Sequence, residues 1–186
     1  MPRISFDSRV TVRKAIFKIR LSQNLQRIRF LVMDVDGTLT DGQVFIGANG
    51  EIFKNFNIKD GLGIADILPD LNITPIIITG RKSEMLAQRC KELKIEELHQ
   101  GVSDKLSVLN RIVDVAGERL SSVCYVGDDI NDLACMKEVK RKGGYVACPQ
   151  DAAKQIKSIA HCALTSPGGK GAVRELIDIL VANRRS

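Results

Sequence analysis

The feature that most constrains the fold of this chain is a short apolar run that ends in two carboxylates. The segment 31–33 leads into Asp34 and Asp36, and Gly37 follows at once. Large and β-branched apolar residues that stop at polar residues and glycine are typical of a buried strand that ends at a functional rim. Because neighbouring carboxylates repel each other, we expect a metal ion or a substrate proton between them.

Size and composition predict one globular domain. The length of 186 residues is enough for a true hydrophobic core. Hydrophobic residues make up 44% of the chain and charged residues 27%, which is ordinary for a soluble protein. No stretch approaches the roughly 20 apolar residues of a membrane span, and residues 1–29 lack the apolar core of a secretory signal. We therefore expect no membrane association.

The net charge of +6 is concentrated at the amino-terminal end. Residues 1–29 carry eight Lys or Arg residues against a single Asp, which leaves the rest of the chain at −1. We interpret residues 1–28 as a basic extension and residues 29–186 as one domain. Without a basic aromatic stripe elsewhere, this distribution argues against nucleic-acid binding. The extension is either a helix packed on the domain or on a partner subunit, or an organelle transit peptide.

The five cysteines indicate a reducing environment. They are odd in number and widely spaced, and no CxxC pair occurs, which argues against a zinc site or a redox dithiol. Free thiols are typical of the cytoplasm, where we expect the protein to act.

Apolar strands that alternate with helical segments predict the fold class. This order indicates an α/β fold, a Rossmann-like open parallel sheet flanked by helices. Between the first strand and the first helix, residues 41–56 hold two β-rich runs around an Asn-Gly turn, which predicts a β-hairpin. The predicted strands end near residues 33, 79, 100, 127 and 148, and the predicted helices span about 59–68, 83–93, 103–116, 130–139, 151–158 and 172–182.

A second acidic group follows another predicted strand. Asp128 and Asp129 come directly after Gly127, and Asp132 lies close behind them. In open parallel sheets the site lies at the carboxyl ends of the strands, so this group should meet the first carboxylate pair. A helix cap accounts for one aspartate but not for two matching pairs. Clustered carboxylates require cations, and a hard divalent ion such as Mg²⁺ suits their oxygen atoms.

Three other segments offer groups that would bind an oxyanion. Thr79 and Arg81 supply a hydroxyl and a guanidinium beside backbone N–H groups, unless they are only a strand end and a surface charge. Lys105 is an ordinary helix lysine unless it lies near the acidic cluster, where it would neutralise a phosphate. Lys170 stands in Gly168-Gly-Lys-Gly171, which is a substrate contact or a flexible lead-in to a helix, and is not a Walker A motif.

Taken in order, these motifs resemble the four motifs of the haloacid dehalogenase superfamily of phosphatases. The resemblance covers about residues 28–183 and implies an aspartyl-phosphate mechanism. In that mechanism Asp34 would be the nucleophile and Asp36 the general acid and base. The matching segments are Asp34-Val-Asp-Gly-Thr-Leu-Thr40, Ile78-Thr-Gly80, Lys105 and Gly127-Asp-Asp-Ile-Asn-Asp132.

The same resemblance implies roles for the remaining motif residues. Thr79 and Lys105 would bind phosphoryl oxygens. Mg²⁺ would be held by the Asp34 carboxylate, the Asp36 backbone carbonyl and the Asp128 carboxylate. Asp129 and Asp132 would support the metal site and Lys105 from behind.

The hairpin in place of a large cap is similar to one branch of the superfamily. That branch hydrolyses octulosonate 8-phosphates or nonulosonate 9-phosphates, and it includes a domain appended to some cytidylyltransferases. Thr79-Gly-Arg81 resembles the octulosonate enzymes, in which Arg81 would bind the sugar-acid carboxylate; Asp60, Arg89 and Lys170 are further substrate-binding candidates. Members are typically homotetramers whose hairpins meet at the centre.

These features predict a Mg²⁺-dependent phosphatase for an octulosonate 8-phosphate. A nonulosonate 9-phosphatase and a non-catalytic assembly module remain as alternatives. A mutase or phosphotransferase is disfavoured, because residues 41–56 are too few for a cap that bars water.

Overall fold

The structure is a computed structural model that describes residues 25–184. Most of the predicted basic extension, residues 1–28, lies outside the described residues. Within its last part, the side chains of Leu25 and Ile28 are buried in the core of the domain. Between residues 25 and 184, no helix has the length and apolarity to cross a membrane.

A parallel sheet forms the centre of the fold. Six strands pair in the order β5-β4-β1-β6-β7-β8, every pair of neighbours being parallel, and β2 pairs with β3 in a separate antiparallel hairpin. The strands of the described residues are β1 (Phe30–Met33), β2 (Phe45–Gly47), β3 (Gly50–Phe53), β4 (Thr74–Ile78), β5 (Glu97–His99), β6 (Val123–Val126), β7 (Tyr145–Cys148) and β8 (Cys162–Ala163).

Helices connect the parallel strands. A π-helical turn, Gly63–Ile67, joins α1 to α2, and a 3₁₀ turn, Ile130–Asp132, leads into α5. The helices are α1 (Ile58–Leu62), α2 (Leu68–Asp70), α3 (Glu84–Glu92), α4 (Lys105–Val115), α5 (Leu133–Arg141), α6 (Lys154–Ile159) and α7 (Ala172–Arg184).

Strand β1 is buried on both faces, because its side chains alternate between two hydrophobic cores. Leu31 and Met33 pack in the core that includes α3 and α7, whereas Phe30 and Val32 pack in the core that includes α4, α5 and α6. A strand that is buried on both faces has a continuous apolar sequence. For this reason apolar and polar residues do not alternate in β1.

The predicted fold class is confirmed: helices flank an open parallel sheet, and a hairpin stands where a large cap would be. Strand β8 and the π-helical turn were not predicted. Strand β8 has two residues, too few to carry a pattern, and the π-helical turn has no sequence signal of its own. The helix predicted from residue 130 begins as the 3₁₀ turn, and its α-helical part starts at Leu133.

The hairpin and α1 expose a group of apolar side chains that we call the hairpin patch. Ile58 is 80% exposed and Ile46 is 66% exposed. The patch consists of Val44, Ile46, Ile52, Phe53, Ile58 and Leu62. Exposed apolar side chains in such number are typical of an interaction site.

Candidate active site

The strand register brings the predicted motifs to one edge of the sheet. Met33, the last residue of β1, pairs with Ile77 of β4 and with Val126 of β6. The residues that follow these three strands therefore emerge side by side, and they include Asp34, Thr79 and Asp128. The site thus lies at the carboxyl end of the sheet, as expected for an open parallel fold.

Three aspartates form an acidic cluster at this edge. Asp34, Asp128 and Asp132 each offer a carboxylate oxygen, and these oxygens lie within 4.8 Å of one another. Asp34 and Asp132 are buried, and Asp128 is partly buried. Thr38 supports the cluster by donating a hydrogen bond to Asp128 Oδ1 at 3.1 Å. Oxygen atoms at this spacing suit a divalent cation.

Gly37 makes room for the cluster. Its φ of +93° lies in a region that L side chains rarely adopt, and a Cβ atom there would lie 2.1 Å from Asp128 Oδ2. Glycine is therefore required at position 37 for two reasons: its backbone conformation, and the space that Asp128 occupies.

Lys105 is the cation of the buried site. It is the first residue of α4, whose N-cap Asp104 accepts a hydrogen bond from the Ser107 N–H at 3.1 Å. Its Nζ lies 2.8 Å from Asp132 Oδ1 and 2.9 Å from Asp34 Oδ1. The contact with Asp34 is a buried ion pair, and it lowers the pKa of Asp34 against the effect of burial. Burial opposes the charge of Lys105, but Asp132 and Asp34 raise its pKa.

Asp132 has donors on both of its oxygens. Oδ1 accepts from Lys105 Nζ and from the Tyr125 hydroxyl, each at 2.8 Å, and Oδ2 accepts from the Asp128 N–H at 3.2 Å. These contacts connect α4, β6 and the loop after β6. These three donors leave Asp132 less free than Asp34 or Asp128 to bind a metal.

The electrostatics of the cluster favour a bound cation. Burial and the negative charge of Asp132 raise the pKa of Asp34 to about 6, against the opposing effect of Lys105. Burial and the charges of Asp34 and Asp132 raise the pKa of Asp128 to about 7. Three carboxylates face one ammonium here, so a divalent cation would remove the remaining repulsion. The residues present therefore fit a hard metal ion.

Asp36 points away from this cluster, towards the hairpin. Lys54, directly after β3, places its Nζ 2.5 Å from Asp36 Oδ1 and 3.1 Å from Glu51 Oε1. Arg81 approaches from the other side, with its Nε 3.8 Å from Asp36 Oδ2 and an Nη 3.2 Å from Glu51 Oε1. The two candidate residues Asp36 and Arg81 are thus brought together, and Lys54 and Glu51 are partners that the sequence analysis missed.

Thr79 and Asp129 have different surroundings. Thr79 is buried after β4, where its N–H donates to His99 O at 2.9 Å. Asp129 is exposed and caps the following 3₁₀ turn, since its Oδ1 accepts from the Ile130 N–H at 2.7 Å. Thr79 therefore lies at the carboxyl edge of the sheet, next to the ends of β1 and β6. The contacts of Asp129 are those of a helix N-cap.

The remaining substrate-binding candidates lie at other positions. Asp60 is buried and accepts a hydrogen bond from the Arg174 N–H at 2.7 Å, which satisfies a donor at the start of α7. Arg89 donates to Glu92 at 3.0 Å and lies over Gly61. Lys170 is exposed, with its Nζ 3.7 Å from Asp41 Oδ2. These contacts do not join the three residues to the acidic cluster.

The loop before α7 closes against the loop after β1. The Gly169 N–H donates to Thr38 O at 3.0 Å. A Cβ on Gly168 would lie 1.9 Å from Gly37 O, and a Cβ on Gly169 would lie 2.5 Å from the Asp41 nitrogen. The predicted flexible lead-in is therefore a packed segment in which glycine allows backbone to touch backbone.

Sequence identity to a curated relative shows the family of this chain. The chain is 40% identical over 156 residues to 3-deoxy-D-manno-octulosonate 8-phosphate phosphatase of Salmonella typhi, an alignment that covers 84% of this chain and 80% of that protein. The chain belongs to the haloacid dehalogenase superfamily of phosphatases. It is a phosphoric monoester hydrolase of that superfamily. No protein-family model matches it.

Solved structures of haloacid dehalogenase phosphatases share the fold. The enzyme of Moraxella catarrhalis, solved with a magnesium ion, a phosphate ion and 3-deoxy-D-manno-octulosonate, has a TM-score of 0.82 and 35% identity, over 88% of this chain and 91% of that one. The cobalt-bound enzyme of Haemophilus influenzae has a TM-score of 0.81 and 34% identity, over 87% and 92% of the two chains.

Proposed function

We propose that the protein hydrolyses 3-deoxy-D-manno-octulosonate 8-phosphate to the free sugar acid and phosphate. The observation that carries the proposal is the Moraxella catarrhalis relative, whose structure holds magnesium, phosphate and the sugar acid on the same fold. The cluster of Asp34, Asp128 and Asp132 supplies the oxygen ligands that such a reaction requires.

Mg²⁺ is the proposed cofactor. Asp34, Asp128 and the backbone carbonyl of Asp36 would hold it, while Asp132 remains engaged with its three donors. When bound, the ion supplies positive charge that offsets the repulsion between the Asp34 carboxylate and the phosphate dianion.

Asp34 is the proposed nucleophile. Its carboxylate oxygen attacks phosphorus, the bond between phosphorus and the sugar oxygen breaks, and an aspartyl-phosphate forms. Water then attacks that phosphorus, and the bond to Asp34 breaks. Lys105, 2.9 Å from Asp34 Oδ1, and the buried Thr79 are suited to bind phosphoryl oxygens as charge shifts between them.

Asp36 is the proposed general acid and base. It gives a proton to the departing sugar oxygen and takes one from the attacking water. Arg81 is 46% exposed at its side chain, next to Asp36, and its guanidinium suits the carboxylate of a sugar acid. Lys170 remains a candidate contact at the rim. The buried or internal contacts of Asp60 and Arg89 support a structural role for these two residues in this protomer.

We further propose that the protein is a homotetramer assembled through its hairpin patch. Ile46, Ile52 and Ile58 expose most of their surface to water in the single chain. Their burial against other copies would remove that surface from water. Because residues 25–184 form no large cap, a neighbouring hairpin would also enclose the substrate. A cytoplasmic location agrees with the five free cysteines.

The decisive experiment is phosphate release by the purified protein with Mg²⁺. The substrates are 3-deoxy-D-manno-octulosonate 8-phosphate, 2-keto-3-deoxynonulosonate 9-phosphate and N-acetylneuraminate 9-phosphate, and Asp34→Asn serves as the inactive control. We expect strong preference for the eight-carbon substrate and no turnover by the folded variant. Preference for a nine-carbon acid would assign the protein to the nonulosonate phosphatases. A folded oligomer that releases phosphate from none of them would favour the non-catalytic assembly role.

A further inference from the structure

We propose that Lys54 of the hairpin is a positioning residue that fixes the orientation of the Asp36 carboxyl group and thereby the oxygen from which the proton leaves. The inference rests on the proposed role of Asp36 as general acid. It adds a residue from outside the four superfamily motifs to the proton-transfer step.

The geometry around Lys54 supports this role. Its Nζ lies 2.5 Å from Asp36 Oδ1, and its side chain is only 1% exposed. A buried ammonium is strongly held by its carboxylate partners, because without them its charge would be left uncompensated away from water. Glu51 is the second partner, at 3.1 Å, so the lysine is fixed from two sides. This pair of contacts restricts rotation of the Asp36 side chain.

Neighbouring residues of the hairpin hold Lys54 in its position. Glu51 lies in β3, and Lys54 follows that strand directly. The rings of Phe45 and Phe53 stack across the hairpin with centroids 4.2 Å apart, and Phe53 directly precedes Lys54 in the chain. Burial raises the pKa of Glu51, but its contact with Lys54 and the positive charges of Lys54 and Arg81 lower it overall, which keeps Glu51 a negative partner for Lys54.

The contact decides which Asp36 oxygen can carry the transferred proton. Oδ1 accepts a hydrogen bond from an ammonium, whereas Arg81 Nε lies 3.8 Å from Oδ2, beyond hydrogen-bond distance, so a proton on the carboxyl group sits on Oδ2. In the first step the phosphorus–oxygen bond to the leaving group breaks as the bond to Asp34 forms, and the Oδ2 proton moves to the leaving oxygen. In the second step a water proton returns to Asp36 as the phosphorus–Asp34 bond breaks. Lys54 keeps its own proton throughout.

This role predicts a dependence on the leaving group. Phenolate needs a proton to depart far more than 4-nitrophenolate, which is stable as an anion. A misplaced Asp36 should therefore slow phenyl phosphate hydrolysis much more than 4-nitrophenyl phosphate hydrolysis. The value of kcat/KM is the right measure, because it reports the steps up to departure of the leaving group and excludes the later attack of water.

The test compares Lys54→Met with the wild type and with Lys137→Met, an exposed lysine of α5. We expect Lys54→Met to lower kcat/KM for phenyl phosphate about tenfold more than for 4-nitrophenyl phosphate, a part of the effect of a general acid. Lys137→Met should change neither value. Lys54→Arg, which retains a cation, should recover part of the difference. If Lys54→Met does not fold, Lys54→Gln provides the same ratio.

Equal losses on both aryl substrates would overturn the proposal, as would a loss confined to KM, which would indicate substrate binding. The aryl pair does not depend on the sugar. Failure of the wild type to hydrolyse 3-deoxy-D-manno-octulosonate 8-phosphate would therefore count against the proposed substrate alone, while the aryl ratio would still decide the role of Lys54.

Discussion

The Tyr125 hydroxyl donates a hydrogen bond to Asp132 Oδ1 at 2.8 Å, and both residues are fully buried. Tyr125→Phe removes one donor from a buried carboxylate, so we expect a loss of about 1–3 kcal/mol in the free energy of unfolding, measured by chemical denaturation. Tyr145→Phe is the matched control, because the hydroxyl of Tyr145 interacts with the Cys162 thiol, a weak partner. Equal losses in the two variants would show that the contact with Asp132 contributes nothing specific.

Gly37→Ala should disrupt the metal site. The added Cβ would lie 2.1 Å from Asp128 Oδ2, so the carboxylate has to move. We expect loss of Mg²⁺-dependent activity and of any rise in melting temperature on addition of Mg²⁺. Gly143→Ala is the control, since Gly143 also has a positive φ, +88°, but no atom lies near its added Cβ. The control should show only backbone strain, of order 1–3 kcal/mol. Intact Mg²⁺ binding in Gly37→Ala would contradict the prediction.

The metal-free protein should lose stability as the pH rises from about 4 to about 7. The pKa of Asp128 is raised from 3.8 to about 7 and that of Asp34 to about 6, so in this window the folded state binds more protons than the unfolded state. Stability therefore falls with rising pH. Protons compete with the cation for these oxygens, so added Mg²⁺ should raise the melting temperature more at about pH 8 than at about pH 5.

The measurement for this prediction is thermal unfolding in chelator and in Mg²⁺ at both pH values. Asp128→Asn removes one of the two titrating groups, so it should reduce both the pH dependence and the effect of Mg²⁺. Metal-free wild type that is as stable at the higher pH as at the lower one would refute the electrostatic account of the cluster.

Ile52→Lys should weaken self-association. Ile52 is 59% exposed in the hairpin patch, and a lysine there would bring like charges together in a symmetric assembly. We expect a shift from tetramer to smaller species in sedimentation velocity. Val115→Lys, at an 84% exposed position in α4, is the control and should leave the assembly unchanged. A tetramer unaffected by Ile52→Lys would argue against the patch as the interface.

The sequence was sufficient to predict the fold class and the residues at the sheet edge. Asp34 and Asp128 follow apolar runs, and in a parallel sheet the ends of such runs meet whatever the details of the helices. Lys105 was harder to predict, because its place next to Asp34 depends on how α4 packs. The motif resemblance, rather than any local pattern, singled it out.

Other parts of the site could not be predicted from a local sequence pattern. Lys54 reaches Asp36, and Glu51 reaches Arg81, only because the hairpin folds back over the loop after β1. This tertiary contact has no periodic signal in the sequence. Asp60 was a candidate substrate-binding residue, and that role stays a prediction. In the fold its carboxylate is buried and accepts a hydrogen bond from the Arg174 N–H, a contact that no local pattern indicates.

The contact between Gly168–Gly169 and the loop after β1 has a consequence for synthesis of the chain. The segment with Asp34 is synthesised well before Gly169, so Thr38 O receives its partner, the Gly169 N–H, only after more than 100 further residues have been made. Helix α7, which follows these glycines, also fills the core beside β1 through Val173 and Leu176. The loop that carries Asp34 and Asp36 therefore lacks this support in a nascent chain until the segment through α7 has been made.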